Sequence, residues 1–143
     1  MQSIRLLLVD DEKAFLETIA KRLEKRKVIV HKACSGKDAL AELEEKKNID
    51  AVILDVKMPG MDGIETLNEI KRQYPLVEVI MLTGHATVET AIDGMKLGAF
   101  DYLLKPCDID LLLGKANDAA NKKRRHEEKI VEARMKEITG RMA

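Results

Sequence analysis

The sequence alternates five times between two periods. Short apolar, β-branched runs at 4–9, 28–33, 51–54, 79–82 and 102–104 are separated by segments in which apolar residues recur every three or four positions. Runs of this length read as strands. The intervening repeats, Phe15/Ile19/Leu23, Ala39/Leu40/Leu43, Ile64/Leu67/Ile70, Val88/Ala91/Ile92/Met95 and Ile109/Leu112/Leu113/Ala116, read as five amphipathic helices. Ser35 with Asp38, Asp62 with Glu65, Thr87 and Asp108 stand where first-turn amides need acceptors. Strand and helix alternating, with strands apolar throughout rather than on every second residue, predict an α/β fold: a parallel sheet covered on both faces in the doubly wound arrangement.

At 143 residues the chain has room for one core, and with 45% hydrophobic but only 3% aromatic residues that core is aliphatic. Its 25 basic and 25 acidic residues cancel, which argues against direct nucleic-acid binding. Arg5 interrupts the N-terminal apolar run and no long uncharged span follows, so neither a secretory leader nor membrane insertion is expected. Cys34 and Cys107 lack CxxC spacing and nearby histidines, which points to reduced thiols in a cytoplasmic protein.

In open parallel sheets, ligands bind beyond the carboxyl ends of the strands. There the sequence sets Asp10 and Asp11 after the first strand, Asp55 after the third, Thr83 after the fourth and Lys105 after the fifth. Each has a plainer reading alone: Asp10 and Asp11 as helix caps, Asp55 as a turn acid, Thr83 as a loop hydroxyl, Lys105 as a solvated strand end. Their conjunction on one edge is the signal. Three clustered carboxylates repel unless a cation or proton sits among them, and a hard dication such as Mg²⁺ suits oxygen ligands of this kind. A hydroxyl and an ammonium opposite them suit an anionic group in transfer, with Asp55 as nucleophile.

The stretches "LLLVDDE", "AVILDVKMPGMDGIE", "VIMLTGHA" and "GAFDYLLKP" together resemble the receiver domain of bacterial two-component response regulators, over residues 4–118 and with every motif in order. "TVETAIDGMKLGAFDYLLKP" is similar to receivers that precede enhancer-binding ATPase modules. The resemblance implies a five-stranded flavodoxin-like sheet in the order 2-1-3-4-5. It implies Asp55 as phosphoacceptor, taking a phosphoryl group from a sensor histidine kinase or a phosphotransfer protein. Mg²⁺ would be held by Asp11 and Asp55 with help from Asp10 and the main-chain carbonyl of Lys57. Thr83 and Lys105 would pair with phosphoryl oxygens, and Thr83 would move inward on phosphorylation so that Tyr102 swings in behind it. Lys57 and His85 would tune phosphate lifetime, and the bond from Lys105 to Pro106 would be cis. Such a protein assists its own phosphorylation and dephosphorylation without being a conventional enzyme.

Two rivals with strand-end sites fit less well. A haloacid-dehalogenase-type phosphatase needs a second Asp two residues after its nucleophile, where this chain has Lys57. A flavodoxin-type flavin binder needs a phosphate-cradling loop after the first strand, and "VDDEK" would repel phosphate. The alternative of a different class is a receiver-fold scaffold or dimerisation protein that signals through its tail without phosphate turnover.

A receiver domain over 1–118 and a helical extension over 119–143 are expected, because the last helical pattern runs on without Pro, rich in Ala, Glu, Lys and Arg. From residue 116 onward there are eight basic and five acidic residues. "KKRRH" at 122–126 reads either as a contact patch or as a solvated helix face, and the solvated face is the expectation. Val131, Met135, Ile138 and Met142 follow coiled-coil spacing, which implies a partner helix: a second copy in a homodimer, a kinase or a downstream domain. No DNA-binding, cyclase or ATPase module is expected in the chain, leaving protein contact or a phosphorelay step as its output.

Overall fold

The computed structural model describes residues 3–56, 62–84 and 87–142, with positions 141 and 142 described by backbone alone. Lys57, His85 and the side chain of Met142 lie outside the described residues. In chain order the elements are β1 (Arg5–Val9), α1 (Lys13–Glu24), β2 (Ile29–Ala33), α2 (Gly36–Glu45), β3 (Ala51–Leu54), α3 (Gly63–Gln73), β4 (Glu78–Thr83), α4 (Val88–Lys96), β5 (Asp101–Leu104) and α5 (Ile109–Met142). The five strands form one parallel sheet in the order β2-β1-β3-β4-β5. This is the flavodoxin-like doubly wound fold.

Alternation along the strands divides the core in two. Leu6, Leu8, Ile53, Ile80 and Leu82 meet Leu16, Ile19 and Leu23 of α1 and Leu112, Ala116, Ala119 and Ala120 of α5. Leu7, Val9, Val52, Leu54, Val79 and Met81 meet Ala39 and Leu43 of α2 and Leu67 and Ile70 of α3. Both faces being covered is why β1, β3 and β4 carry no polar alternation, whereas the edge strand β2 keeps the partly open His31 and the exposed Lys32.

Three helix starts are capped as the sequence suggests. Ser35 accepts from the Asp38 amide at 3.1 Å and Asp62 from the Glu65 amide at 2.9 Å. Thr87 and Thr90 make a reciprocal pair, each side chain accepting from the other's amide. At α5 the contact is through the main chain, the Asp108 carbonyl accepting from Leu112. The Lys105–Pro106 bond is cis. Cys34 and Cys107, beyond strands at opposite edges of the sheet, are free.

Three expectations need correction. The apolar stripe of α4 does not enter the core: Val88, Ile92 and Met95 are exposed, and Gly94 is the buried residue of the helix. With α3 already covering the neighbouring strand, α4 has only its thin glycine edge to lay on Met81, Leu67 and Tyr102. The strands also run further than their apolar runs, β4 starting at Glu78 and including Thr83, and β5 starting at Asp101. Lastly, "KKRRH" is not a wholly solvated face. Lys122 lies 3.5 Å from Glu78, Lys123 3.7 Å from Asp50 and Arg124 3.1 Å from Asp50, while Arg125 is exposed.

Asp50 and Glu78 are 5% and 2% exposed, at the amino edge of the sheet opposite Asp55. Asp50 also accepts from the Arg5 amide at 2.9 Å, and Lys71 lies 3.7 Å from Glu78. Buried acids require such partners. They draw α5 across the base of the sheet, so the helix passes residue 118 unbroken, with Ala119 and Ala120 fully buried. Beyond this contact Ile130, Val131, Met135 and Ile138 are exposed. Among the described residues no helix is long and apolar enough to cross a membrane.

Candidate functional site

The site forms where four strands end together. The Asp55 amide donates to the Val9 carbonyl at 3.0 Å and the Lys105 amide to the Thr83 carbonyl at 3.0 Å, so the pairing of the sheet carries on into the residues that follow β3 and β5. Asp10 and Asp55 are 2% and 4% exposed, Thr83 is fully buried and Asp11 is exposed. One ligand oxygen from each of Asp10, Asp11 and Asp55 falls within 4.8 Å of the others.

Lys105 closes the cluster. Its Nζ lies 2.5 Å from Asp10 Oδ2, 3.7 Å from Glu12 Oε1 and 4.0 Å from Asp55 Oδ2. The same ammonium sits 4.0 Å from the centroid of the Phe15 ring. Asp10 uses its other oxygen, Oδ1, to accept from the Glu12 amide at 2.9 Å, just ahead of α1. The helix-cap reading of Asp10 does not hold: the residue ahead of α1 is Glu12, among the described residues no side chain caps the helix, and Asp10 Oδ1 braces the Glu12 amide while Oδ2 belongs to the charge cluster.

Burial pushes the Asp55 carboxyl above the usual carboxylate range. The negative charge of Asp10 adds to that push, while the Thr83 hydroxyl, Lys105 and the Val56 amide oppose it. Burial acts to lower the Lys105 ammonium, but the hydrogen bond and charge of Asp10 outweigh it and the net shift is upward. Asp55 Oδ1 is buried without a hydrogen-bond partner among the described residues. A bare carboxylate oxygen is costly in such a place and marks room for a ligand. An all-oxygen set of three carboxylates with one unsatisfied atom fits a hard dication such as Mg²⁺.

Asp10, Asp11, Asp55, Thr83 and Lys105 thus share one edge. Tyr102 stands two residues before Leu104, the neighbour of Thr83 across the sheet, and its hydroxyl lies 3.0 Å from Thr90 Oγ1 in α4. Phe15 and Glu12 were not among the sequence candidates. An aromatic at the third position of a helix reads as core, and only its distance to Lys105 distinguishes it. Gly63 was also missed: the first residue of α3 donates to the Val56 carbonyl at 2.7 Å, bringing the helix against the main chain that carries Asp55.

An acidic cluster faced by a lysine at the carboxyl edge of a 2-1-3-4-5 sheet agrees with the match of residues 6–117 to the response regulator receiver domain. The chain belongs to the response regulator receiver domain family. As a receiver domain it is 43% identical over 109 residues to the transcriptional regulatory protein ZraR of Salmonella typhimurium, covering 76% of this chain and 24% of that one. It is 40% identical over 115 residues to a putative NtrX-like response regulator of Rickettsia felis, covering 79% and 24%. These relatives are thus far longer than the matched receiver. A receiver domain structure from Clostridium thermocellum superposes with a TM-score of 0.80 at 40% identity, covering 85% of this chain and 97% of that one. The NtrX receiver of Brucella abortus gives 0.75 at 33% identity, covering 81% and 98%.

Proposed function

We propose that this receiver accepts a phosphoryl group on Asp55 from the phosphohistidine of a sensor histidine kinase or a phosphotransfer protein. The observation that carries the reading is the buried Asp55 carboxylate, its Oδ1 without a hydrogen-bond partner among the described residues and its Oδ2 4.0 Å from the Lys105 ammonium. A carboxylate oxygen of Asp55 attacks phosphorus, the P–N bond breaks with its electron pair going to the imidazole nitrogen, and the P–O bond of an acyl phosphate forms. Lys105 and Thr83 donate to the phosphoryl oxygens and hold the group in line. Mg²⁺ held by Asp10, Asp11, Asp55 and the Lys57 carbonyl would neutralise charge on the group in transfer. Lys57 and His85 tune the lifetime of the acyl phosphate.

The output is a change of interaction surface. Thr83 moves toward the phosphoryl group, and Tyr102 leaves Thr90 to follow it. Exposed Val88, Ile92, Met95 and Leu104 lie on the elements that bear these two hydroxyls and form the responsive surface. The extension over 119–143 offers a second contact, for a homodimer or a partner helix, through Val131, Met135 and Ile138. Dependence on a kinase's cytosolic domain makes the cytoplasm its place of action. A scaffold role without phosphate turnover would leave the converged carboxylates and Lys105 without a purpose.

The test is labelling of the purified protein by a small phosphodonor such as phosphoramidate. Hydroxylamine-labile label that needs Mg²⁺ and is lost in Asp55→Asn is the expected result. Equal labelling of Asp55→Asn refutes the assignment of the acceptor, and undiminished labelling in excess EDTA refutes the metal.

A further inference from the structure

Among the described residues four groups surround the Lys105 ammonium, and three of them are carboxylates: Asp10 at 2.5 Å, Glu12 at 3.7 Å and Asp55 at 4.0 Å. The fourth is the face of Phe15, with its centroid 4.0 Å away. Phe15 is half-buried in the first turn of α1, five residues after Asp10, and a small cavity of about 10 Å³ is lined by this ring, Asp10, Asp55 and core side chains such as Leu16 and Ile53. The ring packs against the core cluster of α1 and the sheet, which fixes its place beside the lysine. Its face serves the lysine.

We propose that Phe15 is a positioning residue for phosphoryl transfer, its ring face holding the Lys105 ammonium beside Asp55. The inference rests on Asp55 being the phosphoacceptor. A cation over an aromatic face is attracted by the ring quadrupole, more strongly when water is excluded, and Lys105 is only 15% exposed at its side chain. The ring matters because of what the carboxylates also do. Asp10 and Asp55 belong to the set that fits a dication, so any metal there competes with Lys105 for them and repels its charge. Glu12 is 66% exposed at its side chain and holds weakly. The ring face has no charge for a metal to claim. It keeps the ammonium near Asp55 when the carboxylates are shared, ready to meet the incoming phosphoryl oxygens.

Phe15→Leu retains the apolar bulk and removes the ring face, Phe15→Met does the same should the leucine variant fold poorly, and Phe15→Tyr retains the face. By NMR, the Lys105 ε-methylene protons of the wild type should be shifted upfield by the ring, with and without Mg²⁺. The shift should vanish in Phe15→Leu and persist in Phe15→Tyr. With phosphoramidate, Phe15→Leu should be labelled roughly three- to ten-fold more slowly at saturating donor with the donor KM little changed, and Phe15→Tyr should stay near the wild type. An unshifted lysine in the wild type, a normal rate in Phe15→Leu, or equal slowing in Leu and Tyr variants of native fold overturns the role of Phe15. A wild type that takes no label while the upfield shift is present overturns the phosphoacceptor reading instead, and the role of Phe15 in transfer with it.

Discussion

Two glycines inside helices should respond oppositely to the same added methyl group. A Cβ on Gly63 would lie 2.5 Å from Val56 Cα and 2.8 Å from Val56 O, and it would also strike the carbonyl oxygen of Asp55. All three are main-chain atoms, so no side chain can swing aside. Non-bonded carbons settle at about 3.5–4.0 Å, so α3 must withdraw by roughly 1 Å. That withdrawal stretches the 2.7 Å bond from the Gly63 amide to the Val56 carbonyl. Overpacking costs about 1–3 kcal/mol and a weakened hydrogen bond about 1 kcal/mol, against a helix-propensity gain of at most about 1 kcal/mol. Gly63→Ala should therefore lose about 2 kcal/mol, a fall of roughly 6–10 °C in Tm for a chain of this size. On Gly94 the added Cβ would meet Met81 at 3.7 Å and Leu67 and Tyr102 at 3.9 Å, ordinary contacts. Gly94→Ala should gain about 0.5–1 kcal/mol from helix propensity alone. Urea denaturation followed by circular dichroism, with m-values compared, measures both. Because the displaced main chain carries Asp55, labelling of Gly63→Ala should also slow. A Gly63→Ala protein as stable as the wild type would refute the close approach of α3 to the loop after β3.

The remaining predictions concern charge. Asp55 binds its proton more readily in the folded protein than its ordinary value of 3.8 allows, so it costs the fold nothing below that value and its full penalty at neutral pH. In EDTA, Asp55→Asn should thus melt above the wild type at pH 8, by a margin that shrinks as pH falls toward 4; a margin that does not change with pH counts against the burial argument. Asp50→Ala leaves the buried Lys123 with the half-exposed Glu127 and frees Arg124, and should cost about 1–3 kcal/mol while raising amide exchange in α5 near residues 119–130. A loss under about 0.5 kcal/mol would show that α5 is held by its alanines alone. Lys105→Arg should retain part of the labelling but lose the response of Tyr102, because a planar guanidinium does not fit between Asp10 and Phe15; an unchanged Tyr102 response by NMR on phosphorylation would refute that.

Much of the fold was legible before any coordinates. Apolar runs and helical repeats are local, and a strand buried on both faces has no choice but to be apolar, so "AVILD" declares both β3 and the acid at its end. The convergence of Asp10, Asp11, Asp55, Thr83 and Lys105 followed once the strands were parallel, since all their carboxyl ends then share an edge. What the sequence could not determine by itself lies where two segments distant in the chain decide each other's environment. Glu78 stands just outside the apolar run 79–82, and it is buried as the first residue of β4 because Lys122 and Lys71 arrive from two helices. The stripe of α4 reads as core and is exposed because α3 already occupies the surface it would cover. "KKRR" reads as solvated and is half turned inward because Asp50 and Glu78 wait at the base of the sheet. Phe15 reads as packing and faces an ammonium supplied 90 residues later by the loop after β5. Local periodicity determined which residues are strand and helix. Only tertiary structure decided which charges could be buried and which ring would meet a cation, because a partner's distance in space is not written in either segment alone.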